Sequence, residues 1–348
     1  MDTQKIICAV QALAKGASPK HDISELLYNH KCTYLLLQTT ESSYKNEILL
    51  EQTLNKIAIK ERFKACQQLF EQMNFPYAVI KGAVLSQSIY GSPFFRLSSD
   101  IDIIINRKNI DELKRLLISL GFVQGRVTSD GIAPFNRNEL IFHATATHQA
   151  APFVKKTNNP LCPFVNLDVN VDIMWGESSI RSDMDYVLSH TEQATILGVP
   201  FTKLSPEMEF VSLCLHHYKD MNSIYLLTRK GLRLELLCDI YFHLKNVRPD
   251  PQKIQEICKY LDVGKYIYVC LHYANQIFQD AVFSEYIEAL SSQADHTLID
   301  TFGLTEDERR KWEIPLPERL FDTNVSEYLN GVLSDEEKKK IRLNYKYM

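Results

Sequence analysis

Much that would set this chain apart from an ordinary globular protein is missing. No apolar run approaches the ~20 residues that cross a bilayer, and the start, Met1-Asp2-Thr3-Gln4-Lys5, has no signal-peptide architecture. No Cys-x-x-Cys pair occurs. The eight cysteines (Cys8, Cys32, Cys66, Cys162, Cys214, Cys238, Cys258 and Cys270) are scattered, most of them in apolar or helical surroundings. They read as reduced core thiols of a cytoplasmic protein, not as a disulfide framework or a zinc site. Internal repeats and low-complexity tracts are absent as well. A dominant charge sign is also lacking. The formal net charge of −4 argues against general nucleic-acid binding, although a local basic groove is compatible with it.

What remains is a composition of 45% hydrophobic and 24% charged residues over 348 positions, enough for two domains and a core that needs no staple. Residues 1–75 read as a helical lead-in: Ile23 to Gln38 and Asn46 to Met73 contain neither Gly nor Pro and are rich in helix formers. Residues 76–178 read as a strand-rich core, with Leu140-Ile141-Phe142-His143-Ala144 as a strand and Gln149 to Pro163 as a loop able to cover a site. Residues 179–348 read as helical again, clearest at Pro206 to His217 and Leu232 to Leu244, and Ser334 with Glu337 spells a capping box before a Lys-rich last helix.

The chemistry concentrates in Ser99-Asp100-Ile101-Asp102-Ile103-Ile104-Ile105. On a strand, residues i and i+2 share a face, so Asp100 and Asp102 point one way and Ile101, Ile103 and Ile105 the other. Two like charges side by side need a compensating cation, for which Mg²⁺ bound by oxygen is the usual choice. Two solvated aspartates on an amphipathic strand fit the same residues, but the upstream sequence favours the first reading. Tyr77-Ala78-Val79-Ile80 forms a short apolar strand pattern that runs into Lys81-Gly82, then a helical stretch to Tyr90, the turn Gly91-Ser92-Pro93, and Arg96. A Gly between strand and helix permits close backbone approach to phosphate, and Arg carries a planar fork that suits phosphate oxygens.

Lys81-Gly82-Ala83-Val84-Leu85, Tyr90, Arg96 and Asp100-Ile101-Asp102 together resemble the uncharacterised nucleotidyltransferases of the DNA polymerase β superfamily. The likeness runs on through Ile110 to Phe122 and back to Ile23 to Tyr28. It departs from the wider superfamily at Gly82-Ala83, where a second Gly or a Ser is commoner, and in a longer gap before the carboxylates. The resemblance implies an α+β fold: a polymerase β-like core of mixed sheet flanked by helices, between a helical N-terminal segment and a helical C-terminal domain. It also implies a third carboxylate. Val165 to Trp175 alternates apolar and polar residues and offers Asp168 and Asp172 on its polar side. Asp172 matches the family's hydrophobic-Asp-hydrophobic-His-Trp segment, with Met174 in place of the His, and is preferred over Asp168.

The resemblance thus implies Asp100, Asp102 and Asp172 as catalytic metal ligands for two Mg²⁺ ions, with Mn²⁺ as a substitute. Lys81, Gly82, Ala83, Arg96 and Ser99 would hold an NTP, ATP foremost. The expected reaction moves a nucleoside monophosphate to a hydroxyl of a peptide, protein or small molecule and releases pyrophosphate. Alternatives are a toxin-like enzyme acting on tRNA or a partner protein, and a nucleotide-binding module without turnover. Elsewhere, His216-His217 is expected to be packing, since adjacent histidines diverge on a helix. Arg229, Lys230 and Arg233 read as a solvated helix start, Asp239 as a hydrogen-bonded structural acid, and His143 and His148 as half-buried histidines beside the sheet.

Overall fold

The computed structural model describes residues 2–39, 44–146 and 148–345. The chain forms two compact units, a helical one of Met1–Asn46 and Phe210–Met348 and a sheet unit of Glu47–Glu209. The chain segments 1–75 and 179–348 are each divided between these units.

The helical unit opens with α1 (Thr3–Ala14), α2 (Ser24–Asn29) and α3 (Thr33–Leu36). The Ile23 to Gln38 stretch, read as helical, holds two short helices, with Lys31 between them at a left-handed φ of 58°.

The sheet unit begins within α4 (Lys45–Gln72), whose apolar stripe of Ile59, Phe63, Cys66, Leu69 and Phe70 follows helical spacing into the core. Next come β1 (Tyr77–Ile80), α5 (Gly82–Tyr90), β2 (Asp100–Ile105), α6 (Ile110–Ser119), β3 (Val123–Thr128), β4 (Gly131–Pro134) and α7 (Arg137–Ala146). Then follow β5 (Phe153–Lys156), β6 (Phe164–Asn170), α8 (Met184–Ser189), β7 (Thr191–Ile196) and β8 (Val199–Leu204). These strands make one eight-stranded mixed sheet in the order β4-β3-β5-β6-β2-β1-β8-β7. β2 pairs β6 and β1 pairs β8 in parallel, whereas β1 and β2 run antiparallel. Ile101, Ile103 and Ile105 of β2, with Val165, Leu167 and Val169 of β6, pack with Leu113 and Leu117 of α6 and the α4 stripe.

Three expectations are corrected here. Leu140 to Ala144 belongs to helix α7, which opens on a reciprocal cap: Asn136 Oδ1 accepts from the N–H of Glu139, and Glu139 accepts from the N–H of Asn136. The expected loop from Gln149 to Pro163 contains β5, which lies between β3 and β6. The strand expected over Val165 to Trp175 ends at Asn170.

The helical unit resumes within α9 (Pro206–Asn222) and continues through α10 (Ile224–Lys230), α11 (Leu234–Phe242), α12 (Pro251–Leu261), α13 (Gly264–Phe278) and α14 (Phe283–Leu290). It closes with α15 (Leu316–Phe321), α16 (Val325–Val332) and α17 (Asp335–Tyr345). α17 starts on the expected capping box, in which Ser334 N–H donates to Glu337 and Glu337 N–H to Ser334 Oγ. The eight cysteines are free thiols, all but Cys8 buried. Among the described residues, no helix is long and apolar enough to cross a membrane.

Candidate active site

The site starts from a backbone irregularity. As β1 ends, Lys81 takes φ 58° and ψ −157°, and Gly82 follows at φ 44°. The Lys81 conformation belongs to a region that is nearly Gly-only, and it costs about 1–3 kcal/mol. Two positive φ values in succession turn the chain sharply from strand into α5. Gly82 has a second constraint, since a Cβ there would lie 3.3 Å from Ser98 Oγ and 3.4 Å from Ser98 Cβ. The turn therefore sits directly against the segment that leads into β2.

The carboxylates come from register. β2 and β6 pair with Asp100 opposite Asn166, Asp102 opposite Asp168 and Ile104 opposite Asn170. Residues paired across neighbouring strands share a face, so Asp100, Asp102 and Asp168 project together, alongside Asn170. The Lys81 ammonium reaches this face and donates to Asp102 Oδ1 at 2.9 Å. Asn170 Nδ2 donates to the same oxygen at 3.2 Å and to the Ile103 carbonyl at 3.2 Å, and its own Oδ1 accepts from Gln149 Nε2. Asn170 thereby orients Asp102.

The electrostatics are those of crowded like charges. Burial first, then the charges of Asp102 and Asp100, push the Asp168 carboxyl up to about 7, against the pull of Lys81. Burial and Asp102 likewise raise Asp100, while Lys81 and Arg62 oppose the rise. For Lys81, burial disfavours the ammonium. The charge and hydrogen bond of Asp102, with Asp168 and Asp100 behind them, outweigh burial and raise its pKa.

Of the expected residues, the structure brings together Asp100, Asp102, Lys81, Gly82 and Ala83, which line one small pocket. Ser99 borders it and donates to Asp100 Oδ2 at 3.3 Å. Arg96 is held through its backbone, its N–H donating to Ser86 Oγ and its carbonyl accepting from Asn55. The register puts Asp168, not Asp172, opposite Asp102. Asp172 lies beyond the end of β6, where its Oδ1 accepts from the Met174 N–H at 2.9 Å and its carboxylate from Ser182 N–H at 3.4 Å. It is occupied in shaping the turn that leaves the sheet.

Two contributors lay outside the sequence motif. Arg62 of α4, buried in the same pocket, donates to the Ser98 carbonyl at 2.7 Å and bears electrostatically on Asp100. Its signal was a lone charge in the apolar stripe Ile59-x-x-Arg62-Phe63-x-x-Cys66. Asn170 was visible only as a same-face neighbour of Asp168. Among the described residues, no three His, Cys, Asp or Glu side chains are drawn into a ready metal cage. The donors nonetheless suit a hard dication: three carboxylates on one face, with an excess of negative charge that Lys81 offsets in part.

The histidines fall elsewhere. His143 lies in α7 with its ring against Phe135, and the His148 carbonyl accepts from Val171 N–H. In the helical unit, His217 pairs with Asp239, His216 lies 3.8 Å from Asp220, and Arg229 and Lys230 end α10.

The profile of a family described as uncharacterised nucleotidyltransferase matches residues 16–279, a span that contains the whole sheet unit. Among curated proteins, none matches the chain. Among solved structures, the crystal structure of an antigenic nucleotidyltransferase-like protein from Paracoccidioides brasiliensis is similar at 15% identity. The likeness covers 71% of this chain and 95% of that one, with a TM-score of 0.36, too low to carry an argument.

Proposed function

The chain belongs to the family of uncharacterised nucleotidyltransferases, and from that premise we propose that it transfers a nucleoside monophosphate from an NTP, ATP foremost, to an acceptor hydroxyl and releases pyrophosphate. The sheet around β1, β2 and β6 would then be a polymerase β-like core. The observation that supports this most is the Asp102–Asp168 register beside a Lys81–Gly82 turn with two positive φ values.

In this reading Asp100, Asp102 and Asp168 hold Mg²⁺, or Mn²⁺ in its place, with Asp168 taking the role the sequence suggested for Asp172. Held there, the ions would supply charge neutralisation at the α-phosphate and a more acidic acceptor hydroxyl. The Lys81–Gly82–Ala83 turn, with Ser99 and Arg96 beside it, holds the triphosphate. Asp168, on the face shared with Asp100 and Asp102, accepts the proton of the acceptor hydroxyl. The new bond joins the acceptor oxygen to the α-phosphorus, and the α–β anhydride bond breaks to expel pyrophosphate. Asn170 keeps Asp102 aimed throughout, and positioning of this kind supplies much of what phosphoryl chemistry needs from a protein.

The test is incubation with each α-labelled NTP and Mg²⁺, first alone to detect self-modification and then with candidate peptide and small-molecule acceptors. Label transfer and pyrophosphate release are expected in the wild type and not in Asp102→Asn. Equal turnover by that variant would sink the assignment.

A further inference from the structure

Lys81 is an unusual residue for its position. Its φ and ψ of 58° and −157° suit Gly, and a lysine persists there only because its surroundings hold it. Its ammonium forms a largely buried pair with Asp102 at 2.9 Å, the side chains 20% and 9% exposed. The second nearby cation, Arg62, is engaged elsewhere, on the Ser98 carbonyl and towards Asp100. Lys81 is thus the cation that serves Asp102 and Asp168, at the same turn that would meet a triphosphate.

We infer that Lys81 couples the two ligands of this site, serving as the carboxylates' counter-ion until a dication and a nucleotide arrive together and the ammonium passes from Asp102 to the phosphates. The inference rests on the metal and nucleotide reading above and adds an order to it. A dication alone must enter beside a resident ammonium, so it binds weakly. A nucleotide offers the ammonium new partners and clears the cluster, and by linkage the dication improves nucleotide binding by the same factor. A lysine suits this exchange better than an arginine, because a compact charge on a flexible four-carbon stem can change partners without keeping a fork geometry.

The experiment compares wild type, Lys81→Gly and Lys81→Met. Gly adopts the Lys81 backbone without strain, so the turn survives in that variant, and Met keeps the bulk of the side chain. Mn²⁺ binding without nucleotide is followed by the loss of its free-ion paramagnetic resonance signal at about pH 8. Binding of an α,β-methylene ATP analogue with Mg²⁺ is followed by calorimetry. Both variants should bind Mn²⁺ alone roughly 10-fold tighter than wild type and the analogue roughly 10-fold more weakly, within the usual range of coupling between sites. Opposite signs from one substitution are the signature. Mn²⁺ affinity unchanged or weakened in both variants, while Asp102→Asn loses the ion, would overturn the coupling and leave the metal site standing. Equal Mn²⁺ binding by wild type and Asp102→Asn would remove the metal site and the inference with it.

Discussion

The two units of this protein bury acidic side chains in opposite ways. In the helical unit, Asp239 of α11 and His217 of α9 are both fully buried and face one another at 3.1 Å. There one acid meets one base. In the sheet unit, Asp100, Asp102 and Asp168 share a face and lean on one ammonium, with a guanidinium nearby. Burial first, and then the neighbouring carboxylates, raise Asp100 and Asp168 against the pull of Lys81. Burial alone therefore does not distinguish a functional acid from a structural one. Excess like charge beside a strained turn does, because the fold tolerates a cost there that it avoids at Asp239.

The largest expected effect separates the two candidate third carboxylates. Asp168→Asn should lower turnover by roughly 10³-fold or more, about 4 kcal/mol of barrier. Asp172→Asn should stay within a few-fold of wild type, since an amide oxygen still accepts from the Met174 and Ser182 N–H groups. Steady-state rates of pyrophosphate release measure both. The reverse pattern would return the catalytic role to Asp172 and place Asp168 with the structural acids.

The sequence carried much of the site but not its closure. β1, α5 and β2 were legible to within a residue, because short apolar runs there are bounded by Gly82 and by the Gly91-Ser92-Pro93 turn. The regular alternation of Val165 to Trp175 identified the sheet face of each residue but not where pairing stops. β2 ends at Ile105, so β6 loses its partner soon after Asn170, and Asp172 turns to cap a bend instead. Parallel register between strands some 60 residues apart depends on tertiary packing, and no local pattern encodes it. Arg62 was hidden for the same reason, being brought in by the packing of α4. The helical assignment of Leu140 to Ala144 was available in the Asn136–Glu139 cap, which outweighs the strand propensity of Ile141 and Phe142.

The second comparison is one of stability. Asp239→Ala removes one half of a buried pair and takes away the partner of His217 Nε2, while His217 Nδ1 is buried without a hydrogen bond among the described residues. A loss of about 3 kcal/mol is expected. Asp102→Asn removes a charge from a crowded cluster, where relief of repulsion offsets the lost pair with Lys81, so a change of about 1 kcal/mol or less is expected. Urea denaturation of the full chain, followed by far-UV circular dichroism, gives both values. If Asp239→Ala costs no more than Asp102→Asn, the distinction between paired and crowded acids fails.

The smallest effect is a difference in pH response between the units. Asp168 is a carboxyl raised from 3.8 to about 7, chiefly by burial and then by Asp102 and Asp100. Its contribution to stability is complete below its unfolded value of 3.8 and is lost as pH rises through about 7. His30, in the helical unit, is pushed down from 6.5 to about 4, first by burial and then by the Arg233 charge. Its Nδ1 accepts from the Leu234 N–H at 3.1 Å, which requires the neutral ring. That contribution is present above 6.5 and is lost as pH falls towards 4. Between about pH 5 and pH 8, amide hydrogen exchange in β2 and β6 should therefore speed up as pH rises, after correction for the intrinsic pH dependence of exchange. Exchange in α11 should speed up as pH falls. For Asp168 the change should be about 1 kcal/mol, discounted because the carboxylate keeps some contact with solvent. Asp168→Asn should flatten the β2 and β6 profile and leave α11 unchanged, whereas His30→Gln should do the converse. A β2 and β6 profile that keeps its slope in Asp168→Asn would mean that the cluster does not hold the excess charge on which its difference from the His217–Asp239 pair depends.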